Sequence, residues 1–349
     1  MSHAGESPFA IDIEQWVRLG GARQRIRVLA AAPALPVLLV LHGGPGFPNG
    51  DVFLRRHARL AQHFTVVTWD QRGAGDSAWA GGCTRLTLSN LESDAAELVA
   101  RIRAHHSDQD LYVLGLSWGS ELGVALVRDH PEGITAYIGS GQAVCGPDGE
   151  RLSYQASWRS CRSAFRDTTA PSCARLHALG ALAALSLVGP PKRAQYRPRI
   201  VGLAIQRRIL HKFGPHHSRT ASTPPVSPTQ EPRPRRHSRV SRAWGILRSL
   251  HDLWPTATDY DFRRSAATLT TPVWFLQGRH DWVTPSPLVT EYAAELRAPR
   301  VQTVWFENSG HSPSRDEPQK FERELIAVQY ALSPDRRHAH PQQHEDDTP

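Results

Sequence analysis

Three short segments of this chain carry residue types suited to nucleophilic chemistry, in an order that lets them act together. The first is Gly115-Leu116-Ser117-Trp118-Gly119. A serine hydroxyl is a weak nucleophile until a base takes its proton. A Gly-x-Ser-x-Gly segment between a strand and a helix makes a sharp turn that holds the hydroxyl at the strand end. The apolar run Leu111 to Leu116 precedes Ser117 and a helical pattern follows it, so Ser117 is the candidate nucleophile. The N–H of Trp118 stands at the start of that helix and can face a developing oxyanion. The base and its orienting acid are expected in the order serine, acid, histidine. Asp281 ends Gly278-Arg279-His280-Asp281, and His311 lies in Asn308-Ser309-Gly310-His311-Ser312, each after an apolar run. His311 would take the serine proton and return it to the leaving group, while Asp281 fixes the imidazole tautomer and stabilises its charged form. His280 is the competing histidine. Asp259 and Asp261 compete as acids but precede their strand, and Asp70 precedes the serine.

Two further loops surround this set. His42-Gly43-Gly44-Pro45-Gly46 follows the run Val37 to Leu41. Its glycines let the backbone approach a substrate carbonyl, with the N–H of Gly44 as the expected second oxyanion donor and Gly43 as the alternative. Phosphate binding is disfavoured, because neither Gly-x-Gly-x-x-Gly nor Gly-Lys-Ser/Thr is present. His42 is expected to brace the loop. Asp70-Gln71-Arg72-Gly73-Ala74-Gly75-Asp76-Ser77 reads as a rigid loop beside the site, with Asp70 and Arg72 in a hydrogen-bonded network.

The elements that must position these residues are short apolar runs alternating with helical patterns, the signature of a mainly parallel sheet covered by helices. Strands are expected at Val37–Leu41, Phe64–Trp69, Leu111–Leu116, Ile134–Ile138, Pro272–Leu276 and Val301–Phe306, after an antiparallel pair within Gln15–Ala31. Helices are expected at Val52–Gln62, Ser89–His105, Ser120–Asp129, Pro285–Arg297 and Pro318–Leu332, with Ser89 and Glu92 as a capping box. Ser117, Asp281 and His311 then all fall at carboxyl ends of strands, where sites of such sheets form. Between Gly141 and Thr271 the alternation stops, over a length too great for a loop. The expected division is a core over 1–141 and 266–332, an inserted and mainly helical cap over 142–265, and a disordered tail over 333–349. Within the cap, Arg151–Leu187 and Ser241–Leu253 read as helical, whereas Gly214–Val240 holds six prolines and few apolar residues and is expected to be disordered.

Composition narrows the classes. The 349 residues allow one large domain with an insertion, or two small domains, and 40% of them are hydrophobic. No apolar stretch is long enough to span a bilayer, and the first residues show no signal peptide, so the expected location is the cytoplasm, away from membranes. The net charge of +8 is concentrated between Lys192 and Arg242, where thirteen Lys or Arg face one acid, Glu231. That run lacks interleaved aromatics or a nucleic-acid module, so no nucleic-acid partner is expected. Cys83, Cys145, Cys161 and Cys173 match neither a metal site nor a disulfide framework. They are expected to be free thiols, with Cys145 near the site. Oligomeric state is not legible.

The motifs HGGPG, DQRGAGDS, GLSWGS, GRHDWVTP and SGHSP, in that order, resemble the prolyl iminopeptidase family of α/β-hydrolases over about Gln15–Gln142 and Ser249–Ala331. The resemblance implies an α/β-hydrolase fold, Ser117, Asp281 and His311 as a catalytic triad, and Gly44 and Trp118 as oxyanion donors. It also implies a cofactor-free and metal-free enzyme that releases N-terminal proline, or another N-terminal residue, from short peptides through an acyl-enzyme. Such enzymes hold the substrate amine with cap carboxylates. Here Glu150 and Glu231 are the candidates, although neither sits in a family pattern, and Gly43 is a further candidate substrate contact. The Pro/Arg-rich stretch resembles a divergent insertion or a segment translated out of frame. Two alternatives stay open: an esterase, lactonase or amidase acting on another small acyl substrate, and a non-catalytic binding protein with a disrupted cap.

Overall fold

A computed structural model describes residues 9–79, 82, 85–189, 200–213, 239–253 and 259–332. Eight strands form one sheet: β1 (Ile11–Leu19), β2 (Ala22–Ala30), β3 (Val37–Leu41), β4 (Thr65–Asp70), β5 (Leu111–Leu116), β6 (Ala136–Ser140), β7 (Val273–Gly278) and β8 (Val301–Phe306). Their order is β1-β2-β4-β3-β5-β6-β7-β8, antiparallel through β1, β2 and β4 and parallel from β4 to β8. Around it lie α1 (Gly50–Arg56), α2 (Leu88–His105), α3 (Trp118–Asp129), α4 (Gly146–Arg166), α5 (Ser172–Val188), α6 (Ile200–Phe213), α7 (Arg239–Leu253), α8 (Phe262–Ser265), α9 (Ser286–Glu295), α10 (Pro313–Asp316) and α11 (Pro318–Leu332).

The central strands are apolar throughout because both faces are covered. In β3, Leu39 and Leu41 join the cluster formed with Leu91 and Leu98 of α2, Leu122 of α3 and Tyr292 of α9. Leu38 and Val40 point the other way, to Phe53 and Leu54 of α1 and Phe321 and Leu325 of α11. This is the two-residue period of a strand read on two sides, and burying each such side chain contributes about 2 kcal/mol. β3 feeds β4 on one side and neighbours β5 on the other, so the carboxyl ends of β3 and β5 flank the point where the strand order reverses. Ligand crevices open at such points.

Several boundaries move from the sequence expectation. β4 and β6 each begin later than their apolar runs, at Thr65 and Ala136, and the first helical run splits into α1 and a 3-10 turn at Ala58–Gln62. The expected capping box is not used. Thr87, in extended backbone, caps α2 by accepting from the N–H of Asn90 at 3.1 Å, and Ser89 lies inside the helix.

Helices α4–α7 fall between β6 and β7. Cys161, Leu185 and Ile209 make a small apolar core shared by α4, α5 and α6. α7 lies on the 3-10 turn at Gly75–Trp79, where Trp79 and Trp244 stack with ring centroids 5.5 Å apart. Arg239 and Val240, expected in the disordered stretch, open α7. The rest of that stretch, with Glu231, lies outside the described residues, as do Cys83 and the tail from Ser333. The two ends of the insertion meet at its root. The N–H of Gly146 donates to the Tyr260 carbonyl at 3.0 Å, and that of Phe262 to the Val144 carbonyl at 2.9 Å. Among the described residues, no helix is long and apolar enough to cross a membrane.

Candidate active site

Ser117 joins β5 to α3 with φ 54° and ψ −123°, a left-handed conformation that non-glycine residues rarely adopt. Its neighbours impose it. A Cβ on Gly115 would come within 2.6 Å of the Ser120 Cα, and one on Gly119 would fall on the carbonyl oxygens of Leu41 and His42. Only glycine fits at either place, so β3, β5 and α3 close tightly around the serine. The turn is pinned by the Ser117 N–H, which donates to the Ser140 carbonyl at 2.9 Å. Strain of this kind persists only where the surroundings over-determine it.

The structure brings Ser117, His311 and Asp281 together. His311 Nε2 lies 2.8 Å from Ser117 Oγ, and Nδ1 lies 3.0 Å from Asp281 Oδ2. Asp281 can only accept, so Nδ1 carries the proton and Nε2 is free to take the serine's. Asp281 is buried at the end of β7 and also accepts from the N–H groups of Val283 at 2.8 Å and Thr284 at 3.0 Å, from Thr284 Oγ1 at 2.7 Å and from Gln277 Nε2 at 3.0 Å. Burial pushes its carboxyl up, but His311 and the Thr284 donors outweigh that and hold it below the usual aspartate value. Gly141, with φ 59°, lies against the imidazole, and a Cβ there would sit 3.1 Å from Cε1.

The loop after β3 forms the opposite wall. A Cβ on Gly43 would lie 3.2 Å from the Ser117 Cβ. Gly44, with φ 141°, lines the cavity together with Trp118. Trp118 is the first residue of α3, so its N–H has no carbonyl one turn back to bond. His42 braces the loop: Nδ1 donates to the Gly43 carbonyl at 2.8 Å, Nε2 accepts from the Gln71 N–H at 3.3 Å, and the Gln71 amide donates to the His42 carbonyl at 3.2 Å. Burial drives the His42 imidazole down to about 4, only partly offset by the Gly43 hydrogen bond. Asp70 and Arg72 turn out to serve two separate partners. Asp70 pairs with buried Arg25 at 3.4 Å and accepts from the Asp76 N–H, whereas Arg72 grips Asp94 of α2 at 2.7 Å.

A model of the alpha/beta hydrolase fold matches residues 36–318. The chain belongs to the α/β-hydrolase fold family. This α/β-hydrolase is 28% identical to the probable aminopeptidase YbaC of Bacillus subtilis over 321 residues, 90% of this chain and 96% of that protein. Its fold is shared by the crystal structure of a proline iminopeptidase from Mycobacterium smegmatis, at TM-score 0.58 and 19% identity, covering 92% of this chain and 98% of that one. It is shared as well by the esterase RhEst1 from a Rhodococcus species, at TM-score 0.52 and 19% identity, with the same two coverages.

Beside Ser117 the hydrolase has a partly open cavity of about 280 Å³, walled by the loops after β3, β6 and β7 and by α3, α4, α6, α7 and α9. Glu150 lines it but is engaged: Oε1 is paired with Arg207 Nη2 and Oε2 accepts from Gln206 Nε2 at 3.3 Å. Of the competing acids, Asp261 caps α8 and pairs with Arg263 at 2.9 Å. The imidazole beside Ser117 is that of His311, and the main-chain N–H of His280 donates to the Ser309 carbonyl. Cys145, Cys161 and Cys173 are free, and Cys145 lines the cavity with its thiol pushed up to about 11 by burial. Glu121 was not singled out from sequence. It lines the same cavity from the first turn of α3, and its closeness in sequence to Ser117 was the available signal.

Proposed function

We propose that the protein is a serine hydrolase that removes an N-terminal residue, proline among them, from short peptides by way of an acyl-enzyme on Ser117. The observation that carries this reading is the linear arrangement Ser117 Oγ, His311 Nε2, His311 Nδ1, Asp281 Oδ2, with its 2.8 and 3.0 Å contacts. As Oγ attacks the carbonyl carbon, His311 takes the hydroxyl proton and Asp281 stabilises the imidazolium. Negative charge moves to the carbonyl oxygen, toward the N–H groups of Trp118 and Gly44, each worth about 3 kcal/mol when aimed correctly. His311 then gives its proton to the leaving amine, the C–N bond breaks, and water repeats the sequence on the acyl-enzyme. The similarity to YbaC along nearly the whole chain supports an aminopeptidase, and a cavity of about 280 Å³ suits one terminal residue.

A second reading, an esterase or amidase indifferent to the amine, is favoured by one observation: Glu150, the described cap carboxylate expected to hold an ammonium group, is already paired with Arg207. Release of chromophore from L-prolyl-p-nitroanilide and L-alanyl-p-nitroanilide, against their N-acetyl forms, separates the two. The aminopeptidase is expected to turn over only the free amines and to lose roughly 10⁴-fold or more in Ser117→Ala. Equal turnover of the acetylated forms would replace it with the second reading.

A further inference from the structure

Two acidic side chains line the cavity, Glu121 and Glu150, together with one cation, Arg207. Glu150 and Arg207 neutralise each other. Among the described lining residues, the acidic group without a cationic partner is therefore Glu121. That residue is only 2% exposed, and its Oε1 has no hydrogen-bond partner among the described residues. The indole Nε1 of Trp118, on the same helix, is likewise buried without one. Native proteins rarely leave such groups unmet, and each costs about 1–3 kcal/mol. A carboxyl kept unmet on a cavity wall is a site waiting for a donor.

Resting on the aminopeptidase reading, we infer that Glu121 is the group that receives the substrate's α-ammonium, and that the amine pocket is built on the nucleophile's own helix instead of on the cap. Distance favours this. In an amino acid the α-nitrogen lies about 2.5 Å from the carbonyl carbon, and that carbon must approach Ser117 Oγ to about 3–3.5 Å. The ammonium is thus confined to within about 6 Å of the hydroxyl. Ser117 and Glu121 line the same cavity, and Glu121 stands on the first turn of the helix that Ser117 opens, so a glutamate at position 121 borders that zone. Charge favours it too: one open carboxylate complements one cation, and Tyr260, which is on the cavity wall, adds a phenol and no charge. Burial, and then Glu92 of α2, hold the Glu121 carboxyl well above the usual range.

The test compares wild type, Glu121→Gln, Glu121→Met and Glu150→Gln, each first shown to be folded by labelling of Ser117 with a fluorophosphonate. Two quantities are read. One is the ratio of kcat/KM for L-prolyl-p-nitroanilide to that for p-nitrophenyl acetate. The other is the inhibition of p-nitrophenyl acetate hydrolysis by L-prolinamide. Both Glu121 variants are expected to lower the ratio by roughly 10²-fold, mainly through KM, and to weaken prolinamide by a similar factor, because a buried ammonium loses its partner. Glu150→Gln is expected to change both far less. An unchanged ratio in both Glu121 variants would overturn the inference, and so would the loss appearing in Glu150→Gln instead. If wild type released no nitroaniline yet were inhibited by prolinamide through Glu121, the peptidase reading would fall and the ammonium site would stand. No inhibition of wild type would remove the site.

Discussion

At the carboxyl ends of β5, β7 and β8, the candidate catalytic side chains are held by main-chain geometry. Ser117 is locked by two glycines that no other residue could replace, Asp281 accepts two backbone N–H groups, and Gly141 presses on the His311 ring. In the helices between β6 and β7 the holding is done by side chains: the Glu150–Arg207 pair, the Gln206 amide, a three-residue apolar core and a tryptophan stack. Backbone contacts of the first kind have almost no alternative arrangement. Side-chain contacts of the second kind can be rearranged by one substitution. Rigidity is thus concentrated around Ser117, Asp281 and His311, and adaptability in the inserted helices.

The strongest way to break this contrast is at the elbow. Gly119→Ala places a methyl group on two carbonyl oxygens of β3 and its following loop. It is expected to destabilise by about 3 kcal/mol or more and to abolish fluorophosphonate labelling, as followed by urea unfolding and probe fluorescence. Near-native stability with full labelling would show that the elbow is softer than described. A second test sharpens the rigid side. With burial lowering His42 to about 4, acid makes the unfolded chain take up a proton near its ordinary value of about 6.5 while the folded chain does not. The stability contributed by neutral His42 is present above that value and is lost as pH falls toward about 4, up to about 3 kcal/mol. Urea midpoints across this range should slope less in His42→Gln; parallel slopes would remove His42 as the cause. The smallest effect is expected on the adaptable side. Arg207→Met leaves Glu150 unpaired, loosening α4 and α6 locally by about 1–2 kcal/mol. Hydrogen exchange in those helices should quicken while β3 and β5 stay protected; quickening throughout would show that the two regions unfold as one.

Most of the sheet was legible because strands buried on both faces must be apolar along their length, and β3, β5 and β8 match their apolar runs residue for residue. Ser117, Asp281 and His311 were legible because each follows such a run. Less could be read where tertiary partners decide. Ser89 has the residue type of a cap, but Thr87 is where the chain turns extended. Glu150 reads as an open carboxylate until α6 delivers Arg207, 57 residues on. Glu121 follows closely on Ser117, yet nothing in its type told an open cavity wall from a satisfied core.

The clasp at the root of the insertion, Gly146 to Tyr260 and Phe262 to Val144, bears on how such a chain can diversify. It closes the intervening polymer into a ring, and the entropy of closing a flexible ring grows only with the logarithm of its contour, by about 0.6 kcal/mol for each doubling. A lineage could lengthen, shorten or scramble what hangs from the clasp at little thermodynamic penalty to the sheet. A long Pro/Arg-rich tract and an unaltered elbow can therefore coexist in one gene.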